Sequence, residues 1–377
     1  MSPRPAILAF VLVLVIGACD RRSAAPTTLP ARTVVLELEL KPLSPLLPNR
    51  PTHAAADALG NVYWVQEEPD RGDDTLFVIG EGDIPRATEL TAANIGAALG
   101  ATTDARGNIQ AIAMGPGGDI YFFFLGTQGR RTLACLGIFS PRTSATRVLA
   151  NFDDLAKATG MGQSLTLARA SIVSDAKNVW VWIRHSDASA VFRIDPRNLP
   201  RDGPIKLAKA FESARLEGQP LPLTREEYEI SIAPEGMLFL LDLFAGRILK
   251  IKPDGTATVV RSVVNLPTEL STPTTDRAGH LLIFAGNSDK LIPPKTVEDA
   301  GQLKLDTTYP AMLIFDSASE ARKVTSIERD NIAAYPGFPV FGMKLDALVP
   351  HARDEAWISY DSGSGELLRL KIREKSY

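Results

Sequence analysis

Short runs of apolar residues, separated by polar turns that often end in glycine, recur along most of this chain. The segment PEGMLFLLDLFAGRILKIKPDGT, from Pro234 to Thr256, shows the pattern clearly: two apolar runs flank a polar break, and a Pro-Asp-Gly turn follows them. Runs of this kind, bounded by turn residues, predict β-strands. The segment is therefore predicted to form a β-hairpin.

The hairpin pattern occurs six times along the sequence. The first turn of each copy lies at Gly60, Gly118, Lys177, Gly236, Gly279 and Asp354, at spacings of 58, 59, 59, 43 and 75 residues. An inner strand precedes each turn, and a weaker outer strand follows the hairpin, as in Ser144 to Phe152 and Thr256 to Val263. One such unit cannot bury both of its faces alone, whereas units arranged around an axis can.

The repetition predicts an all-β fold, a six-bladed β-propeller. The segment Arg32 to Leu43 alternates apolar and polar residues without a hairpin of its own, so we assign it as the outer strand of the last blade, closing the ring. A β-sandwich is the alternative, but its turns recur every 8–12 residues or so.

Short segments rich in alanine and leucine predict helical insertions between blades. They are Leu90 to Gly100, Phe152 to Gly160 and Glu328 to Gly337, with Thr91, Asp153 and Asp330 as capping residues. These helices either shape the mouth of the propeller or only fill gaps between blades, and the sequence leaves both interpretations open.

The first residues carry a different pattern. An apolar run from Ala6 to Ile16 ends in Ile16-Gly17-Ala18-Cys19. This resembles the lipobox of bacterial lipoproteins, in which cleavage falls just before the cysteine and the thiol carries lipid. The resemblance implies a signal peptide over residues 1–18, lipidation of Cys19, and a location at the cell envelope, anchored to a membrane and facing the periplasm or exterior. The alternative is an ordinary secretory signal that happens to contain Cys19.

The composition of the chain predicts where its domains begin and argues against a nucleic-acid partner. Residues 19–31 are polar and contain prolines, which predicts a disordered tether before a propeller over residues 32–377. The net charge is −3 and no basic stripe is present, so no nucleic-acid partner is expected. Cys135 lies in an apolar run, which predicts a buried hydrophobic residue rather than a nucleophile. The acidic segment Gln66 to Thr75 predicts a solvated hairpin tip.

The fourth copy resembles an NHL repeat through Gly236, an apolar strand, Asp242, a turn, and the run RILKIKPDGT that starts at Arg247. The mature chain is similar to the six-bladed NHL and gluconolactonase-type propellers. The gluconolactonase type holds a divalent cation with Glu, Asn and Asp side chains near the tops of inner strands. Here the equivalent ring holds one carboxylate, Asp346, together with the cation of Arg169, so neither a metal nor another cofactor is predicted.

The residues eight positions before each first turn are predicted to face the central channel together. They are Thr52, Gln110, Arg169, Tyr228, Ser271 and Asp346, with His53 and Glu229 beside them. Arg169 can hold a carboxylate or phosphate by paired hydrogen bonds. Tyr228 can stack on a ligand, and Asp346 can accept from hydroxyls. The alternative is a water-filled channel whose lining is polar only because it is wet.

The sequence favours a binding module over an enzyme. The predicted protein is a lipid-anchored propeller that holds a polar small molecule or an envelope protein, with the membrane as its other partner. One alternative is a propeller hydrolase or lyase of the gluconolactonase or streptogramin-lyase type, for which His53 with Glu229 is the candidate pair. Another is a structural scaffold within an envelope complex. No catalytic motif distinguishes them.

Overall fold

The structure is a computed structural model of the chain. It describes residues 35–42, 51–67, 73–80, 84–101, 105–225, 228–233, 236–242, 247–264, 274–275, 281–285, 290–291, 302–306, 311–315, 324–326, 343–350, 355–361 and 367–375. The chain divides into two units, Met1–Ala31 and Arg32–Tyr377, and all described residues belong to the second. The predicted signal peptide, the tether, Cys19 and the helix predicted over Glu328 to Gly337 lie outside the described residues.

The first half of the second unit contains strands of three to ten residues and two α-helices. In chain order they are β1 Val35–Pro42, β2 Pro51–Ala56, β3 Val62–Glu67, β4 Asp74–Ile79, β5 Arg86–Thr91, α1 Ala92–Ala98, β6 Arg106–Met114, β7 Ile120–Gln128, β8 Arg131–Ser140, β9 Ala145–Asn151, α2 Phe152–Thr159, β10 Arg169–Ser174, β11 Val179–Arg184, β12 Ser189–Ile194, β13 Ala214–Leu216 and β14 Gln219–Leu221. Short 3-10 helices cover Gly162–Leu167 and Pro196–Asn198.

The remaining described elements are all strands. They are β15 Tyr228–Ala233, β16 Met237–Asp242, β17 Arg247–Ile251, β18 Thr256–Val264, β19 Thr274–Thr275, β20 Leu281–Ala285, β21 Lys290–Leu291, β22 Gln302–Asp306, β23 Ala311–Phe315, β24 Val324–Ser326, β25 Met343–Pro350, β26 Glu355–Asp361 and β27 Leu367–Lys375. The chain is therefore mostly β-strand with few helices, as the sequence predicts.

The described strands form six sheets, one for each copy of the hairpin. Their orders are β2-β3-β4-β5, β6-β7-β8-β9, β10-β11-β12, β15-β16-β17-β18 with added strands, β19-β20-β23-β24, and β25-β26-β27-β1. The strand predicted over Arg32 to Leu43 is β1, and it pairs antiparallel with β27, from Val35 opposite Lys375 to Pro42 opposite Leu368. The prediction that this strand joins the last sheet is confirmed.

The first strands of consecutive sheets are neighbours. Strand β2 lies beside β6, β6 beside β10, β10 beside β15, β15 beside β19, β19 beside β25, and β25 beside β2. At least two of these neighbours run in the same direction, because the last residues of β10 and β6 meet: the hydroxyl of Ser174 donates to the carbonyl of Met114 at 2.5 Å. We call the end at which β6, β10 and β15 begin the start end. The opposite end, with the β6–β7 and β10–β11 turns, is the turn end.

Each central sheet is buried on both faces, because alternate side chains of one strand enter different cores. In β7, Phe122 and Phe124 pack into the core between the first and second sheets. Tyr121 and Phe123 pack into the core between the second and third sheets. Period-two alternation between two apolar environments explains why such strands are almost entirely hydrophobic in sequence. Cys135 is fully buried in the first of these cores, and burial raises the pKa of its thiol, which confirms that it is a buried hydrophobic residue.

The two α-helices lie between sheets where the sequence places them. Thr91 caps α1 as predicted, because its hydroxyl accepts from the backbone N–H of Asn94. The predicted cap of α2 is wrong: Asn151, not Asp153, accepts from the N–H of Asp154, while Asp154 accepts from the N–H of Asn151. In the part of the chain described, no helix is long and apolar enough to cross a membrane.

The third and fourth sheets depart from the regular pattern. The third has no described fourth strand, and only an isolated bridge pairs Phe192 of β12 with Lys209. The outer strand of the fourth sheet, β18, has parallel partners along both halves: β13 pairs near Thr256, and β22 pairs near Ser262. Strand β22 comes from the insertion within the fifth copy. Both segments cover an edge that could otherwise pair with another chain.

Candidate functional site

The structure places the predicted site residues on or near the start end of the first strands. Thr52 and His53 lie in β2, Gln110 in β6, Arg169 at the start of β10, Tyr228 and Glu229 at the start of β15, and the backbone of Asp346 in β25. Ser271 lies outside the described residues. The strands that carry the other seven are neighbours in space, so we treat these residues together as one candidate surface.

A β-bulge recurs at the predicted position in three of these strands. Thr52 is the extra residue between the pairs Pro51–Gln66 and His53–Val65. Gln110 is the extra residue in β6, and Asp346 occupies the same place in β25. A bulge redirects the extra side chain relative to the normal alternation of the strand, and bulges are enriched near binding and active sites. The sequence pattern identified these positions but not the bulges.

Gln110 combines this bulge with an available acceptor. The residue is partly buried, and its side-chain oxygen is buried without a hydrogen-bond partner among the described residues. A buried acceptor that makes no hydrogen bond costs roughly 1–3 kcal/mol. Such an oxygen favours a donor from outside the chain, whether a ligand group or a solvent molecule.

Arg184 is a buried cation beside the predicted Arg169. The two residues are direct cross-strand partners in β10 and β11, and Arg184 is only 5% exposed. Its guanidinium lies 4.2 Å from the ring centroid of Trp182, donates to the backbone carbonyl of Tyr228, and lies 3.7 Å from a carboxylate oxygen of Glu229. Arg184 thereby connects the third sheet to the fourth at the start end.

Arg184 was not predicted from the sequence, although a signal was present. The residue ends the run VWVWIR, whose other members are all buried hydrophobic residues. A charged residue continuing a buried strand needs a partner, since an isolated buried charge is very unfavourable. That signal predicts a buried ion pair without revealing that its partner is on the next sheet.

Tyr228 lies in a second buried polar group. Its strand partner is Asp242, which is fully buried and accepts a hydrogen bond of 3.0 Å from Nε of Arg247. Burial, followed by the charge of Asp242, raises the pKa of the Tyr228 hydroxyl, so it keeps its proton at neutral pH. The ring is only 1% exposed and packs in the core between the third and fourth sheets. Its backbone carbonyl accepts a hydrogen bond from Arg184.

In the acidic segment predicted to be a solvated hairpin tip, residues 68–72 lie outside the described residues, and the described residues that follow them are partly or fully buried, which the sequence did not predict. Asp74 is 3% exposed, and its Oδ2 accepts from the backbone N–H of Ile109 at 2.7 Å. Asp73 accepts from the N–H of Gly107 at 3.1 Å. Both contacts join the first sheet to the second. Burial raises the pKa of Asp74 to about 6, against a smaller lowering by its backbone hydrogen bond.

Within the described residues, no group of three or more His, Cys, Asp and Glu side chains could hold a metal ion. The groups at the start end therefore offer hydrogen-bonding and charge recognition. Arg169 and Arg184 supply positive charge, Glu229 and Gln110 supply acceptor oxygens, and Thr52 supplies a hydroxyl. This combination can recognise a polar ligand that carries both acceptors and donors.

No protein-family profile and no curated protein sequence matches this chain. Solved structures do match it. The PQQ-bound aldose sugar dehydrogenase from Streptomyces coelicolor aligns with a TM-score of 0.50 and 11% identity, over 91% of this chain and 100% of that chain. An auxiliary nutrient binding protein from Bacteroides ovatus aligns with a TM-score of 0.50 and 10% identity, over 90% of this chain and 78% of that chain.

TolB from Acinetobacter baumannii aligns with a TM-score of 0.44 and 10% identity, over 85% of this chain and 66% of that chain, so this chain spans slightly less than two thirds of that protein. The matches to the aldose sugar dehydrogenase and to the nutrient binding protein support a β-propeller fold. This chain has a β-propeller fold. At these identities the likeness concerns fold alone, because propellers with one architecture perform unrelated functions.

Proposed function

We propose that this protein is a lipid-anchored binding module of the cell envelope, whose closed six-bladed propeller holds a polar ligand or a partner protein at the start end. Residues 1–18 would be a signal peptide, 19–31 a tether and 32–377 the propeller. Support for the anchor comes from the Ile16-Gly17-Ala18-Cys19 sequence. Support for the closed ring comes from the six sheets, the β1–β27 pairing and the neighbouring first strands.

One observation carries the choice of the start end as the binding face. A polar residue is the extra residue of a bulge at the same position in three separate sheets, at Thr52, Gln110 and Asp346. A structural role alone does not require a polar side chain at each of these bulges. If the strands surround one axis, bulges at equivalent positions would orient these three residues towards a shared volume.

The charges at this face favour a ligand that carries a carboxylate or phosphate. Arg169 begins β10 and is exposed, and its cross-strand partner in β11 is Arg184, so two guanidinium groups lie near this face. The exposed guanidinium can bind such a group through two parallel hydrogen bonds. Acceptors at Gln110 and Asp346 would then bind hydroxyl or amide groups elsewhere on the ligand.

The experiment is a thermal-shift screen of polar metabolites and cell-envelope fragments, followed by titration of any hit against variants. The variant Arg169→Ala/Asp346→Ala should lose most of the affinity. The matched control Arg215→Ala/Asp202→Ala removes the same two charges at exposed positions and should bind normally. Unchanged affinity in the first variant would remove the start-end site from the proposal.

The anchor is tested separately. Wild-type protein expressed in a bacterial host should fractionate with membranes and incorporate labelled fatty acid, whereas Cys19→Ala should do neither. Incorporation that persists in Cys19→Ala would contradict lipidation at this residue. If cross-linking in membranes captured proteins while the screen yielded no small molecule, the partner-protein form of the proposal would be favoured.

A further inference from the structure

A cleft with a volume of about 650 Å³ opens at the turn end, between the second and third sheets. The β6–β7 and β10–β11 turns form part of its wall, and the chain after β12, including Pro196 to Arg201, forms another part. It lies at the opposite end of the sheets from Arg169 and Arg184. The cleft is thus separate from the start-end site, and a ligand could bind in either one without the other.

The charged side chains lining this cleft are mostly basic. Arg147, Lys177, Arg197 and Arg201 contribute four positive charges, and Asp119 is the only acidic lining residue in the described chain. An excess of one sign inside a concave site focuses the electrostatic field and attracts ions of opposite charge. The cleft therefore favours an anion.

Two of the four basic residues have structural partners. Arg197 forms a two-pronged ion pair with Asp195, with N–O distances of 2.9 and 2.8 Å. Arg147 donates to the backbone carbonyl of Arg201 at 2.8 Å and to that of Pro200, which holds the segment after β12 against the second sheet. These contacts fix one wall of the cleft without using the other two cations.

Lys177 and Arg201 have no hydrogen-bond or ion-pair partner for their side chains among the described residues. Lys177 is also an exception within the repeats, because Gly60, Gly118 and Gly236 occupy this turn position with φ of 86°, 83° and 71°. The third turn has no left-handed residue. Asp175 shapes it instead, accepting from the N–H groups of Lys177 at 2.6 Å and of Asn178 at 2.7 Å. The turn does not need a lysine side chain, which leaves that side chain for another role.

Tyr121 is another residue that lines the same cleft. Its ring is buried, and burial together with the charge of Asp119 raises its pKa to about 12. The hydroxyl therefore keeps its proton at neutral pH and remains a hydrogen-bond donor. Ammonium, guanidinium and hydroxyl donors around one cavity are the groups that bind phosphate oxygens in proteins.

We infer that this cleft binds a phosphate ester, with Lys177 and Arg201 as its charged contacts. Two sources share this chemistry: a soluble phosphorylated metabolite and the headgroup of an anionic phospholipid. Lys177 provides a point charge and Arg201 a planar fork, so together they neutralise a phosphate bearing one to two negative charges. The acid Asp119 limits the affinity by repulsion.

The test measures binding of glycerol 3-phosphate by calorimetry, and of vesicles containing phosphatidylglycerol by co-sedimentation, with pure phosphatidylcholine vesicles as the reference. Wild-type protein should bind at least one of the two phosphate probes. The variant Lys177→Gln/Arg201→Gln should weaken that binding by at least about tenfold. The control Lys206→Gln/Lys252→Gln removes two exposed charges outside the lining and should bind as wild type does.

A gain-of-affinity variant keeps the test independent of folding defects. Asp119→Asn removes the acidic lining residue and should tighten binding several-fold, and this gain should shrink at high salt. If the cleft variant loses binding to the phosphatidylglycerol vesicles, with or without loss of glycerol 3-phosphate binding, the ligand is the headgroup. If it loses only glycerol 3-phosphate binding, the ligand is a soluble ester. No binding of either probe, unchanged binding in Lys177→Gln/Arg201→Gln, or an equal loss in the control would overturn the inference.

Discussion

The buried carboxyl of Asp74 gives the most quantitative prediction. Its Oδ2 accepts the backbone N–H of Ile109 from the next sheet, and the side chain is almost fully buried. Asp74→Asn keeps the shape and an acceptor oxygen for this hydrogen bond but removes the charge. The substitution therefore separates the contact between the two sheets from the cost of burying an anion.

The size of the expected change in the free energy of unfolding follows from the pKa of Asp74. Burial raises the pKa of Asp74 from 3.8 to about 6. The pKa of Asp74 is higher in the folded state than in the unfolded state. Its contribution to the free energy of unfolding is therefore fully present below about pH 4 and is lost as pH rises through about 6. At about 1.4 kcal/mol for each tenfold change, the ionised group disfavours folding by about 3 kcal/mol at neutral pH.

The assay is urea unfolding of both proteins at about pH 4 and about pH 7.5. The free energies of unfolding should be similar at the lower pH, whereas Asp74→Asn should be more stable by up to about 3 kcal/mol at the higher pH. Other titrating groups cancel in the difference. Asp73→Asn is the comparison variant, because it removes a neighbouring charge whose carboxylate oxygen accepts a hydrogen bond from the N–H of Gly107. A stability difference that stays constant with pH, or that reverses sign, would refute the reasoning.

Five further substitutions, which make up three tests, probe local features, and the free energy of urea unfolding is measured for each. Gly255 and Gly203 have similar left-handed φ of 85° and 80°, but only at Gly255 would an added Cβ approach the carbonyl of Ser213, at 2.3 Å. Gly255→Ala should therefore cost several kcal/mol and Gly203→Ala only about 1–2 kcal/mol, and equal losses would contradict the steric argument. Arg184→Ala should destabilise the protein by about 3 kcal/mol, and Arg184→Lys should recover less than half, because only the guanidinium reaches its partners in this geometry. Asn151→Ala should cost about 1 kcal/mol through loss of the α2 capping box, and an unchanged free energy of unfolding would argue against that cap.

Features that depend on local signals could be predicted from the sequence. Strands β16 and β17 correspond to two apolar runs around a polar break, and this pattern can be recognised without knowing which strands pair with them. The cap Thr91 and the buried Cys135 follow from similarly short segments. Even the distant pairing of β1 with β27 was predictable, since repetition leaves one sheet lacking an outer strand.

Features that depend on strand register or on partners distant in the sequence could not be predicted from the sequence. The bulge at Gln110 exists only relative to the partner strand, and one sequence does not specify that alignment. Asp74 looked like part of a solvated tip because its partner, Ile109, lies 35 residues away. The buried Arg184 and the parallel addition of β22 to β18 likewise arise between sheets rather than within one repeat.

The pairing of β1 with β27 has a consequence for biosynthesis. A ribosome completes Val35–Pro42 long before Leu367–Lys375, so one early-made strand must wait for a late-made one before eight residue pairs can form. A product truncated before β27 would leave β1 with an open hydrogen-bonding edge, a feature that proteases and chaperones engage. Until β27 has been synthesised, the last sheet therefore lacks the protection that this pairing gives to the edge of β1.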